Sequence, residues 1–196
     1  GGELARGMYA RRAAGGTPPS DAEALTRGVL DRIASKHASR ETYFDEARKG
    51  LVEVRGFVGQ RGFVPMPPND NLSIVPTPEF MRGNYSVGGF NGAPALEPKL
   101  GAFYWLTPIP ETWDSARVES KLREYNEQGL RILTIHEAIP GHYLQFEFAN
   151  QVEPRWRRAL RAVYANGPYV EGWAVYATQL MLDEGYQSHD PEFALT

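Results

Sequence analysis

Seventeen of the 55 residues from Gly56 to Pro110 are glycine or proline. No long helix survives that density, because glycine raises the entropy cost of ordering the backbone and proline removes a helical N–H. Short extended pieces remain open to this stretch. Leu72–Val75 (LSIV) and Gly101–Thr107 (GAFYWLT) are the best of them, the second rich in aromatic strand formers. Between them, GNYSVGGFNGAPALEP reads as an ordered loop: its aromatic residues argue against disorder, and long structureless loops in compact domains are usually functional.

The flanks have helical periodicity. Over 21–37, Ala24, Leu25, Val29 and Ile33 share one face, with Ser20 or Asp21 as cap. Over 41–58 the stripe is Tyr43, Phe44, Ala47, Leu51, Val54 and Val58. After Pro110, Asp114 or Ser115 can cap a helix running through Tyr125 to Ile139, with Gly129 weakening its middle. Helices over about 142–150, 154–165 and 168–184 follow; the second has a basic face (Arg155, Arg157, Arg158, Arg161), and Pro168 suits a first turn. The expected fold class is mainly α with a small β element around residues 70–107. Residues 1–196 form a single lobe: helical scaffold to 60, Gly/Pro-rich loops and short strands over 61–110, and a helical region over 111–186.

Bulk properties narrow the function. A net charge of −3 and a pI near 5.9 give no reason to expect nucleic acid. Apolar runs fall far short of the roughly 20 residues that span a membrane. With no cysteine, neither disulfides nor thiolate ligands exist. The opening GGELARGMYARRAAGG lacks the apolar stretch of a secretory signal, and the end at DPEFALT is abrupt. Both features point to a fragment of a longer chain, periplasmic or secreted if a signal peptide precedes it. Oligomeric state is not legible.

Residues 136–142 read HEAIPGH. Histidines four apart on a helix lie about 40° from each other around the axis, but six apart they lie about 120° apart. One straight helix cannot aim His136 and His142 at one ion. Pro140 makes a straight helix improbable, since its ring would meet the carbonyl of His136, and Gly141 can adopt backbone angles closed to other residues. The break thus falls where the second histidine must swing round. A helix ending in Pro-Gly with two unrelated histidines is the plainer alternative. Glu137 favours the metal reading, because a carboxylate beside a metal-bound histidine can relay a proton to a leaving amine.

Catalytic zinc usually takes three protein ligands. Glu171, in PYVEGWAVYAT and 29 residues after His142, is the candidate third. It lies on a largely apolar helix, where a buried carboxylate needs a partner; a buried ion pair with an arginine of 155–161 is the alternative. His37 closes a polar helix end and His189 sits in a turn-like QSHDPE, so neither is assigned to the site.

The blocks REYNEQGLRILTIHEAIPGHYLQFEFAN and NGPYVEGWAVYAT resemble the bacterial family known as domain of unknown function 885, with its HExxPGHxxQ and later EGWAxY. PTPEFMRGNYSVGGFNGAPALEP and GAFYWLTPIP resemble one branch of it, so the likeness covers most of residues 70–186. It implies a helical metallopeptidase-like (gluzincin-related) lobe within a longer zinc-dependent hydrolase. It also implies His136, His142 and Glu171 as metal ligands, Glu137 as general base, and Gln145 as support behind the ligands. Thr178 departs from the pattern, standing where members often carry a second glutamate.

The expected activity is hydrolysis of an amide, most simply a peptide bond, using one zinc ion, with manganese or cobalt able to substitute. Tyr143, Tyr164, Tyr169 and Tyr176 are candidate donors to the oxyanion. GAFYWLT either pairs with an extended substrate as an edge strand or is a core strand with alternating burial. Two other functions compete. A two-His-one-carboxylate set also serves non-haem iron oxygenases, which are built on β-barrels and give Glu137 no role. The other is a non-catalytic helical interaction module whose metal site is structural or absent; structural zinc sites are normally closed by four protein ligands, often cysteine, and no cysteine exists here.

Overall fold

The computed structural model describes residues 3, 6–8, 21–67 and 71–195. The alternative cap Ser20, most of the opening segment and the first residue of the expected β element lie outside them. Among the described residues the fold is mainly helical, with one three-stranded sheet.

Helix α1 spans Ala22–Ala34; Asp21 caps it by accepting from the amides of Glu23 and Ala24, and Leu25, Val29 and Ile33 are buried. Ala24 is exposed. Helix α2, Tyr43–Arg61, buries Tyr43, Ala47, Gly50, Val54 and Val58 and stops at Gly62, whose φ of 67° suits a residue without a Cβ. Strands β1 (Leu72–Pro76), β2 (Gly88–Asn91) and β3 (Ala102–Leu106) follow. Sheet order is β1-β3-β2, with β3 parallel to β1 and antiparallel to β2. Ala102, Tyr104 and Leu106 point into the core. GAFYWLT is therefore the central strand of the sheet with alternating burial, and both its edges are taken. The edge-strand reading of that segment is wrong. Strand β2 falls within the segment read as a loop, because GGFN has neither period-2 patterning nor β-branched residues.

The helix expected from 114 to 139 is two. Helix α3 (Ser115–Glu124), capped by Asp114, ends at Tyr125. Asn126 then caps α4 (Glu127–Glu137), its side chain accepting from the amides of Gln128 and Gly129. Asparagine competes for nearby backbone amides and so starts a new helix where periodicity alone continues the old one. Helices α5 (His142–Ala149), α6 (Arg155–Val163) and α7 (Gly167–Asp183) complete the chain, with Pro168 in the first turn of α7.

Two apolar clusters hold the lobe together. Val54 and Val58 of α2 meet Ala102, Ile135, Ile139, Tyr143 and Met181. Tyr43 and Ala47 meet Ile74, Tyr104, Leu106, Leu122 and Leu130. In the second, the Tyr43 hydroxyl donates to the Thr107 carbonyl at 3.1 Å and accepts from the Ile109 amide at 3.2 Å. The sheet is thereby fixed between α2 and the helices that follow it. That placement sets β2 against α5: the Phe90 ring stacks on His142 at 6.2 Å and lies 5.4 Å from Phe146.

Candidate metal centre

Helix α4 ends at Glu137, three residues before Pro140, and Ala138 leaves helical geometry at φ −111°, ψ −98°. The chain reverses through a cis Ile139–Pro140 peptide, and α5 starts at His142. Gly141 has ordinary negative φ (−72°), so its need for glycine is not a left-handed backbone. The need is one of space. A Cβ on Gly141 would lie 1.9 Å from the His136 carbonyl oxygen and 2.3 Å from that of Ile135. The backbone passes this close because its amide donates to the Ile135 carbonyl at 3.0 Å.

This turn brings the two imidazoles together, with ring centroids 4.7 Å apart and nearly perpendicular planes. Glu171, in the first turns of α7, reaches both. Its Oε2 lies 3.3 Å from His136 Nε2 and 3.5 Å from His142 Nε2. One ligand atom from each of the three lies within 4.8 Å of the others. Both separations are long for charge-assisted hydrogen bonds. They match the about 3.3–3.6 Å between two ligands that each sit about 2.0–2.2 Å from a tetrahedral zinc. The donor set, two imidazoles and a carboxylate, is also that of a catalytic zinc with an open position. On donor type, and on the two separations of Glu171 from the imidazoles, the three residues fit a metal ion.

Glu171 differs in one respect from the expectation of a buried carboxylate. Its side chain is 63% exposed, because α7 buries Ala174, Ala177 and Met181 and leaves Glu171 on the rim of that face. It makes no ion pair with the arginines of 155–161: Arg158 pairs with Glu153 at 2.9 Å, and Arg161 bonds to Asn150. The site is thus open on the Glu171 side and closed on the His142 side, where that ring is 7% exposed.

Burial, followed by the charge of His136, holds the His142 imidazole below its ordinary pKa and so favours the neutral, ligating form. Glu137 is not among the three clustered donors, and it is buried. Its carboxyl is pushed up to about 7, first by burial and then by the negative charge of Glu171, with the Phe90 amide opposing by bonding to it. A cation among the three donors would draw that value down again.

Other residues singled out from the sequence stand elsewhere. His37 bonds to Glu119 and to the Ala38 carbonyl, far in sequence and chemistry from the cluster. His189 belongs to no metal-binding group among the described residues. The Gln145 amide makes no hydrogen bond to a ligand side chain; both its polar atoms are buried without a partner among the described residues. Of the four tyrosines, Tyr143 is fully buried and its hydroxyl donates to Asn71 at 2.9 Å, whereas Tyr164, Tyr169 and Tyr176 are exposed. Two contributors were not singled out. Trp173 donates from Nε1 to the carbonyls of Pro140 and Gly141, at 2.9 and 3.2 Å. Phe90 supplies both a ring against His142 and an amide for Glu137. Trp173 lies within EGWA, where an indole needing an acceptor is a readable signal.

Over residues 11–196 the chain matches the bacterial proteins of unknown function designated DUF885. The chain belongs to that family. Among solved structures, this DUF885 chain resembles a candidate lipoprotein of unknown function from Shewanella oneidensis. The TM-score is 0.83 at 32% identity, over 99% of this chain and 33% of the other. A second candidate lipoprotein, from Colwellia psychrerythraea, shares the fold at TM-score 0.68 and 21% identity, over 99% of this chain and 30% of its own. The DUF885 chain thus spans about a third of the length of these two proteins. No curated protein matches it.

Proposed function

We propose that this DUF885 chain carries the active centre of a zinc-dependent hydrolase that cleaves amide, most simply peptide, bonds, within a gluzincin-like lobe. One observation carries the reading. Three side chains suited to zinc converge, and the glutamate beside the first histidine is buried next to them without joining them. A structural site would have no use for that fourth group.

Zinc held by His136, His142 and Glu171 would supply Lewis acidity to the scissile carbonyl and to the attacking water. Glu137 takes the proton from that water and returns it to the departing nitrogen.

Strand β2 supports an extended substrate. The Thr107 amide donates to the Val87 carbonyl at 2.9 Å. Antiparallel pairing alternates, so Gly89 and Asn91 face β3, while Gly88 and Phe90 turn their N–H and C=O outward, the Phe90 N–H being the one that bonds to Glu137. No strand among the described residues pairs with that outer edge. A peptide added there would run past Glu137 with its main chain held by hydrogen bonds. The lipoprotein descriptions of the two solved structures favour an exported, periplasmic or secreted setting.

The decisive test is Glu137→Gln in the complete gene product. Turnover of a peptide substrate should disappear while one zinc per chain persists by elemental analysis. Retained turnover would remove Glu137 from the chemistry, and iron with oxygen-dependent turnover would replace the hydrolase by an oxygenase.

A further inference from the structure

Helix α6 is mounted with its apolar edge outward. Trp156, Leu160 and Val163 are exposed, whereas Arg158 and Arg161 turn onto the lobe. Arg158 has a counter-charge: it donates to the Asn150 carbonyl at 2.9 Å and pairs with Glu153, although its Nε, too, is buried without a partner among the described residues. Arg161 pairs with no carboxylate among the described residues. It donates from Nη2 to Asn150 Oδ1, its guanidinium lies 5.2 Å over the Phe146 ring, and its Nε is buried with no partner among the described residues. Asn150 is itself pinned by a bond from Nδ2 to the Ala93 carbonyl at 3.1 Å.

Two cavities, of about 510 and 400 Å³, flank α5, and both are bounded by Gln145, Ala149, Arg161 and Tyr169. Their walls are largely apolar, and among the described residues no acidic one lines either cavity. Gln145, whose two amide atoms are buried and unpartnered, stands between them. A guanidinium held against apolar walls without a counter-charge is unfavourable unless something supplies one. Burial already acts against the charge on Arg161.

We propose that the cavities beside Gln145 bind a carboxylate group of the substrate, received by the free edge of the Arg161 guanidinium and the Gln145 amide. A planar guanidinium matches a carboxylate better than any other common anion-bearing group of a peptide. The site rests on the hydrolase reading for its purpose, and each cavity shares one wall residue with the surroundings of the metal centre. Phe90 bounds one cavity and stacks on His142; Trp173 bounds the other and holds the Pro140–Gly141 turn. From His142 to Asn150, α5 rises about 12 Å. That is the reach of three or four extended residues. The carboxylate is therefore either the C-terminus of a short leaving peptide or an acidic side chain at that distance.

The test is equilibrium binding by calorimetry to the complete, zinc-loaded gene product bearing Glu137→Gln. The probes are acetyl-tetraalanine as free acid, the same peptide as C-terminal amide, and an amide peptide with glutamate in place of the third alanine. At least one carboxylate-bearing probe should bind about tenfold more tightly than the plain amide. Preference for the free acid identifies the C-terminus, and preference for the glutamate peptide identifies a side chain. Arg161→Gln should erase the difference without changing binding of the plain amide. Gln145→Leu, which leaves α6 untouched, should reduce it severalfold and serves if Arg161→Gln fails to fold. Equal binding of all three probes, or a preference that survives both substitutions, would overturn the proposal. Because the readout is binding, it can stand when no peptide is cleaved, and it can fail in an enzyme that turns over acid and amide alike.

Discussion

Trp173 Nε1 donates to the Pro140 carbonyl at 2.9 Å, which ties the helix bearing Glu171 to the turn that separates His136 from His142. The Gly141 carbonyl, 3.2 Å away, takes a share of the same N–H. The relative position of the three proposed ligands, which come from two chain segments, thus rests in part on this indole, beside the packing of Met181 against Ile135 and Ile139. Trp173→Phe keeps most of the ring and removes the donor. Zinc affinity should fall about 10–100-fold, the range seen when support behind metal ligands is lost. Competition against a chelator measures it, with far-ultraviolet circular dichroism unchanged. An unaltered zinc affinity would show that the turn holds itself.

Gly141→Ala should act through space rather than backbone angle. The added methyl would meet two carbonyl oxygens at 1.9 and 2.3 Å, and neither belongs to a flexible side chain. Loss of about 3 kcal/mol or more is expected, at the upper end for overpacking. Gly59→Ala is the control of opposite sign: it lies in α2 with nothing within 4 Å of the new methyl. There the gain should be about 0.5–1 kcal/mol. Denaturant titration of both variants separates crowding at the turn from a general intolerance of substitution.

What the sequence revealed, and what it hid, follow from how local each determinant is. Helices α1, α2 and α7 were readable because their caps and apolar stripes are written in adjacent residues. The pairing of His136 with His142 was readable because Pro140 and Gly141 mark the bend between them. The reason for Gly141 was not, since the two carbonyls that exclude a Cβ depend on how the turn folds back. Strand β2 escaped notice because its partner, β3, supplies what GGFN lacks. The exposure of Glu171 and the outward apolar edge of α6 are tertiary facts, set by which face of each helix the rest of the lobe covers.

Removal of single ligands should separate the three proposed roles. His142→Ala takes away the buried ligand and should leave the complete protein without stoichiometric zinc. Glu171→Gln keeps an oxygen in place but loses the charge, so zinc should bind more weakly rather than vanish. Elemental analysis after dialysis gives both answers. One zinc per chain in His142→Ala would mean that the imidazoles face each other for some other reason.

The open edge of β2 makes a prediction about substrates rather than variants. If a peptide lies along Gly88 and Phe90, one of its own amides must donate to an outward carbonyl on that strand. Replacing that amide by an ester removes the donor and leaves the scissile bond intact. A net hydrogen bond contributes about 0.5–1.5 kcal/mol, so kcat/KM should fall by about twofold to tenfold for the ester at the paired position. Esters at alternate positions should have little effect, because alternate residues of an extended chain turn their amides away from the strand. A scan of single esters through one cleaved peptide reads this directly: a two-residue rhythm in the losses supports pairing with β2, and a flat profile places the substrate elsewhere.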